Sequence, residues 1–397
     1  MKKNKLLSLN VSILILISMV SCSNVNSSLL SESNDISTSE SVNEVKVSEG
    51  LTYSFSNFTY TATGRGTCQD KNIVIPQYYK DKPVVGVAGF NDDDYIESVT
   101  ILDGALGVSG FKNCVNLKEI NIPSTVEEIN GNIGYDSTNL VNINIDENNE
   151  NYKSIDGNLY SKDGKTMLRY CSGKLSETFA TYEGVEVVEF RTFYNTKLKE
   201  ITFSPGVKTI KVNAIDFDGV EKINVSSTVE VIEQNSIFGH CYNVKEINVD
   251  ENNNYYSSID GNLYSKDKKT LIKYCGGKED KVFNIPEGVE IIDKVSINDA
   301  FNLENINISS SVNTIKQQAI KISANSLKLK WLVIPKNVVT MERIAIDFPL
   351  NIPIYCEADS QPSTWNDNWN KYAALGDNVY WNGEWEYIDG IPTPIEE

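Results

Sequence analysis

The sequence has no apolar run long enough to cross a membrane as a helix, no dense block of lysine or arginine, no Cys-x-x-Cys pair and a single histidine. A spanning helix needs about 20 apolar residues in succession, and the run from Val11 to Val20 is closed off by Asn10 and Cys22. The lack of basic clusters, in a chain of 397 residues with a formal net charge of -18, argues against nucleic acid and anionic lipid as partners, since both are polyanions. The acidity is read as serving solubility. Without paired-cysteine spacing the seven cysteines do not outline a zinc site, and neither a metal nor a cofactor is expected. His240 stands beside Cys241, but adjacent residues rarely face each other and no third group orients them. No catalytic residue is expected, and the chain is not read as an enzyme.

What is present begins with positive charge at Met1–Lys5, an apolar stretch and then Ser21-Cys22-Ser23, the pattern of an export signal over residues 1–21. Met19-Val20-Ser21-Cys22 resembles the lipobox of bacterial lipoproteins, in which cleavage leaves the cysteine first and its thiol carries lipid. That resemblance implies lipidation at Cys22 and contact with the outer face of a membrane only through this anchor. Met19 stands where Leu, Val or Ile is usual, so plain secretion stays open as the alternative. Residues 22–49 are rich in Ser, Asn and Glu, without an aromatic residue. Such a segment buries too little apolar surface to offset the entropy of ordering, and reads as a tether.

Internal repetition dominates the rest. Asn139 to Lys174 returns as Asn243 to Lys278, and Glu183-Gly184-Val185-Glu186 as Glu287-Gly288-Val289-Glu290, both 104 positions later. Inside this duplication runs a shorter period of 23 residues with the pattern L-x-x-I-x-I, as in Leu117–Ile122 and Leu140–Ile145. It recurs at Leu198–Phe203, Val220–Val225, Val244–Val249, Leu303–Ile308 and Leu329–Ile334, and more weakly at Ile96–Ile101. Each copy predicts a short strand with alternate apolar side chains inward. A second apolar segment follows a turn, as in Pro123–Ile129, so one unit can close one coil. A single coil buries too little to fold alone, and only stacking gives it a core.

Phe111-x-x-Cys114-x-x-Leu117-x-x-Ile120-x-Ile122-Pro123 and Phe238-x-x-Cys241-x-x-Val244-x-x-Ile247-x-Val249 resemble the BspA-type leucine-rich repeats of bacterial surface proteins. The resemblance implies a mainly β, right-handed leucine-rich-repeat solenoid over residues 84–355, with an N-terminal cap at 50–83, inserted hairpins near 146–174 and 250–278, and an aromatic-rich C-terminal cap at 356–397. Ser137 and Thr196 replace the repeat cysteine, and Cys171 and Cys275 stand where the family usually has proline. Cys114 and Cys241 are expected as small inward-facing thiols rather than disulfide partners.

Several patterns invite a chemical reading and yield to a plainer one. Asp156-Gly157 and Asp163-Gly164 are read as hairpin turns rather than glycosidase carboxylates. Asp146–Glu150 and Asp250–Asn254 lack the turn glycine and distal glutamate of a calcium loop, and are read as solvated turns. Trp365, Trp369, Trp381 and Trp385, with Tyr372, Tyr380 and Tyr387, are read as covering the last coil, a sugar platform being the alternative.

The outward strand positions then remain. Asn121, Asn144, Thr202, Asn224, Asn248, Asn307 and Val333 are expected in one row, flanked by Glu119, Asn142, Glu200, Lys222, Glu246, Asn305 and Trp331. These could be soluble filler or a ligand face. The expectation is a monomeric surface protein binding a protein or cell-surface ligand, by analogy an adhesin. The rival classes are a glycan- or peptide-binding module using the tryptophan-rich end, and a purely structural surface protein.

Overall fold

The computed structural model describes residues 45–233, 242–298, 300–322, 328–347, 352–370 and 378–395. The export signal, Cys22, the tether up to residue 44, His240, Cys241 and Tyr372 lie outside the described residues.

Alternation makes the repeat segment a strand. In Glu119–Ile122, Ile120 and Ile122 are buried while Glu119 and Asn121 are half-buried, the period of two that a pleat with one face in a core demands. Leu117 is buried at the turn leading in. These strands pair parallel with like residue over like: Glu119 lies on Ser98, 21 positions earlier, and Asn142 lies on Glu119, 23 positions later. A second side of each coil carries two-residue strands, such as Gly107–Val108 beside Glu128–Ile129. In places a third side does too, as where Phe193–Tyr194 pairs with Ile215–Asp216. The chain is a β-solenoid of about 13 turns, with no helix among the described residues.

The long-strand ladder is cut into three: four rungs between Asn72 and Ile145, four between Thr178 and Val249, and five between Val282 and Tyr380. The duplicated insert makes each cut. Tyr152–Ile155 and Asn158–Ser161 form a hairpin closed by Asp156-Gly157, both residues in the left-handed region with φ 48 and 72, as a two-residue turn of this type requires. Ile143 N–H donates to Gly157 O at 2.8 Å, and Ile247 N–H to Gly261 O at 2.8 Å in the second copy. The hairpin turn therefore sits where the next rung would be. A Cβ on Gly157 would lie 2.2 Å from Asn142 Oδ1, so only glycine permits this approach.

The strand Asn158–Ser161 is buried on both faces and separates two cores. Leu159 packs into the first core and Tyr160 into the second. In the second copy Leu263 and Tyr264 divide in the same way between the second and third cores. Period-two alternation thus stitches three blocks together with adjacent residues of one strand.

Two readings of turn residues need correction. Asn149, expected in a solvated turn, is fully buried. Its Nδ2 donates to the carbonyls of Pro123 (3.1 Å), Ser124 (3.3 Å) and Val126 (2.8 Å), and its Oδ1 accepts from Asn151 N (2.9 Å) and Tyr152 N (2.8 Å). Asn253 repeats this role in the second copy. The amide satisfies backbone groups that the bend from ladder to hairpin would otherwise bury unpaired. Asp146 and Asp250 stay exposed and brace the turn through Asn148 and Asn252.

The repeat cysteine does more than fill space, for Cys114 Sγ donates to Phe90 O at 2.8 Å. Ser137 takes the same place one coil later, its Oγ 2.7 Å from Phe111 O. Burial pushes the Cys114 thiol up to about 11 and those of Cys171 and Cys275 up to about 12. Cys68, Cys114, Cys171, Cys275 and Cys356 are buried and free of disulfides.

At the third block's end Trp365 and Trp369 are buried in its core, 5.1 Å apart edge to face. Their indoles close the last coils and are withdrawn from any sugar platform. Trp365 Nε1 donates to Val338 O at 3.0 Å, and Trp385 Nε1 to Cys356 O at 3.1 Å.

Candidate ligand-binding face

At the entry to many of the ladder strands, one register position alternates in charge from coil to coil. Lys71, Glu97 and Lys118 pair in the first block at 2.8 and 2.9 Å. Lys199, Glu221 and Lys245 do so in the second at 3.5 and 2.9 Å, and Lys281, Glu304 and Lys330 in the third at 3.1 and 2.7 Å. Parallel in-register stacking places identical positions about 4.8 Å apart, where like charges would repel, so alternation is the electrostatic condition for stacking. The two flanking lysines of each triad hold the carboxyls of Glu97 and Glu304 down at about 2. On the second side Lys165 and Lys208 do the same to Glu186. These stripes are not apparent in the linear sequence, and their alternation becomes legible once the register is set.

The predicted outward residues do share one edge of the coils, but the expected single row does not exist. The hairpins divide it. Asn121 and Asn144 lie in the first block, Thr202, Asn224 and Asn248 in the second, and Asn307 and Val333 in the third.

Within each block the row is knitted by its own amides. Asn144 Nδ2 donates to Asn121 Oδ1 at 2.8 Å, and Asn121 Nδ2 to Thr100 Oγ1 at 3.2 Å. In the second block Asn224 Nδ2 donates to Thr202 Oγ1 (3.0 Å) and Glu200 Oε1 (2.6 Å), and Asn248 Nδ2 to Asn224 Oδ1 (3.4 Å). In the third, Asn307 Nδ2 reaches Asn284 Oδ1 at 2.6 Å. Thr100 and Asn284 therefore extend rows that the sequence reading had left shorter.

The flanking row is looser. Lys222 sits between Glu200 and Glu246 at 4.0 and 3.8 Å, Glu119 lies 3.5 Å from the Asn121 amide, and Asn305 Nδ2 donates to Asn307 Oδ1 at 3.2 Å. Asn142 and Trp331 are half-buried at the ends of their segments. A shallow groove of about 370 Å3 runs beside Thr100, Asn121 and Asn144 toward Asp103 and Asp146. The arrangement offers fixed amide and carboxylate groups for hydrogen bonding. Among the described residues no group of three or more His, Cys, Asp or Glu side chains is placed to hold a metal.

The solved structures that resemble this chain include a leucine-rich repeat protein from Eubacterium ventriosum (19% identity, 77% of this chain and 95% of that one, TM-score 0.43). A leucine-rich cell surface protein from Faecalibacterium prausnitzii is similar at 20% identity over 86% of this chain and 96% of its own, TM-score 0.45. The pneumococcal vaccine antigen PcpA is similar at 20% identity over 80% of this chain and 83% of its own, TM-score 0.42. No curated protein matches. The family described as BspA type leucine-rich repeat region (6 copies) matches residues 84–171, 164–275 and 268–347. These matches span most of the chain, so the chain belongs to the BspA-type leucine-rich repeat family.

Proposed function

We propose that the protein is exported, held at the cell surface through a lipid on Cys22, and binds a protein partner through the ladder face of its second block. Family membership supports a surface binding protein rather than an enzyme. The observation that carries the choice of face is the knitted patch of Glu200, Thr202, Lys222, Asn224, Glu246 and Asn248, in which each side chain is held by its neighbour. Side chains already fixed lose less entropy when a partner arrives, so such a patch binds better than free filler residues would. Each amide has more donors and lone pairs than these bonds use.

The test is capture of proteins from host and microbial surfaces by the chain, against a variant combining Glu200→Ala, Asn224→Ala, Glu246→Ala and Asn248→Ala. Selective loss of one captured species is expected, and equal capture by both would sink the strand-face reading. Metabolic labelling with a fatty acid should disappear in Cys22→Ala; unchanged labelling rejects the anchor.

A further inference from the structure

The sequence contains only four arginines, and two of them meet where the first block joins the second. Tyr135 and Tyr194 stack with ring centroids 3.7 Å apart. The guanidinium carbons of Arg169 and Arg191 lie 5.2 and 5.3 Å from the Tyr135 ring, and that of Arg191 lies 5.0 Å from Phe190. Arg169 is 4% exposed. Its terminal nitrogens donate to the backbone carbonyls of Arg191, Gly131 and Ile133, and its Nε has no partner. Arg191 pairs with the buried Asp216 at 2.7 Å while its side chain stays 32% exposed. The other nearby acids are Asp136, engaged by Asn195, and Glu189, which accepts from Phe190 N.

Beside this cluster are two cavities. One, of about 370 Å3, is lined by Asn91, Lys112, Asn130, Asn132, Tyr135 and Arg191 over a floor of glycines, with no acidic residue. A Cβ on Gly110 would stand 2.1 Å from Gly89 O, so this floor has to be bare backbone. The other, of about 360 Å3, is mostly apolar, walled by Ile129, Tyr152, Leu159, Leu168 and Phe190 with Glu189 as its one acid, and it shares Asn130 and Asn132 with the first. In a chain of net charge -18, the first lining holds two cations and no acid beside the buried Arg169, with Arg191 partly offset by its pairing to Asp216. Low dielectric makes such a charge felt at a distance. Phe190 is 43% exposed at the apolar wall.

The second junction shows that joining blocks does not require this cluster. At the positions of Arg169, Phe190, Arg191 and Tyr194 the copy has Lys273, Lys294, Val295 and Asn298, and Gly239 replaces Tyr135. The bracing bond survives there, since Lys273 Nζ reaches Val295 O at 3.5 Å. The guanidinium pair and the stacked tyrosines of the first junction are therefore not repeated at the second, where lysines stand at two of the four positions.

We propose that the paired cavities form a docking site for a partner's peptide segment that presents a carboxylate next to a large apolar side chain. The carboxylate enters the Lys112–Arg191 side, where a guanidinium fork and amide donors meet it. The apolar side chain fills the cavity walled by Phe190 and Leu168, a requirement a sugar acid does not meet. Polyanions are turned away by the acidic surroundings, which leaves single carboxylates as the fitting charge. The site is separate from the ladder face, so either can fail without the other.

The experiment is calorimetric titration of the chain with a short blocked peptide carrying one Glu-Phe pair, against versions with Gln for Glu and Ala for Phe, and against glucuronate. Lys112→Glu and Phe190→Ala alter exposed side chains, and unchanged melting temperatures will show that both variants fold. Binding of the Glu-Phe peptide is expected, weakened roughly tenfold or more by each peptide change and by each variant. No binding, equal binding of all peptides, or binding indifferent to both variants overturns the proposal. Glucuronate binding as tightly as the peptide and without dependence on Phe190 overturns it in favour of an acidic sugar.

Discussion

Asn149→Ala should be among the most damaging single changes in the first block, although the residue sits in a turn of polar sequence. Five hydrogen bonds depend on this amide, three to carbonyls of the preceding coil and two from the chain entering the hairpin. A bond of this kind contributes about 0.5–1.5 kcal/mol net, and a buried group left without a partner costs about 1–3 kcal/mol. Pro123 O and Val126 O are bonded in a buried setting, while Ser124 O and the two amides reach some solvent and can be partly rehydrated. The expected loss is roughly 3–5 kcal/mol.

Tryptophan fluorescence would miss this loss, because all five tryptophans lie at Trp331 or beyond, in the third block. The assay is urea unfolding by far-ultraviolet circular dichroism, with hydrogen exchange on peptides covering Glu119 to Tyr170. In a stacked array each unit leans chiefly on its neighbours, so protection should fall in the first block and its hairpin and persist in the third. Asn253→Ala should reproduce the effect one block later. A loss below about 1 kcal/mol, or one spread evenly over all three blocks, would refute the reasoning.

Other outcomes follow from the same geometry. Leu159→Ala should lower protection chiefly in the first block and Tyr160→Ala chiefly in the second, each by about 2–5 kcal/mol, read by the same exchange experiment; identical patterns would contradict the dividing wall. Glu97, Glu186 and Glu304 are held at about 2 by flanking lysines. Their folded-state values lie below the unfolded value of 4.5, so the stabilisation is complete above pH 4.5 and is lost as pH falls toward 2. The melting temperature should therefore drop across that window, and less steeply in high salt, since these carboxylates are exposed. The buried thiols of Cys114, Cys171 and Cys275, raised to about 11 or 12, should resist a thiol reagent at pH 8 until urea is added; rapid labelling of the native chain would show that the coils open readily.

Much of the fold is legible in the sequence because it is periodic. Ile120 and Ile122 declare an inward face by spacing alone, Asp156-Gly157 declares a two-residue turn, and the 104-position copy doubles each signal. What escaped was set by contacts across coils. Asn149 looks solvated because asparagine usually is, and its burial follows from carbonyls 23 to 26 positions earlier. The outward asparagines read as one row because their positions agree in phase, yet the hairpins replace a rung after Ile145 and after Val249. Arg169 and Tyr135 lie 34 positions apart and on different structural segments, so no local pattern could bring them together.

The central claim is that the second block presents its ladder face to a partner. Covalent labelling of carboxylates and lysines, with and without a captured partner, tests it most directly. Glu200, Lys222 and Glu246 are expected to lose reactivity on binding while Lys165 and Glu186 on the second side keep theirs. Unchanged labelling of Glu200, Lys222 and Glu246, with protection moved to the second side or to the C-terminal aromatic end, would contradict it.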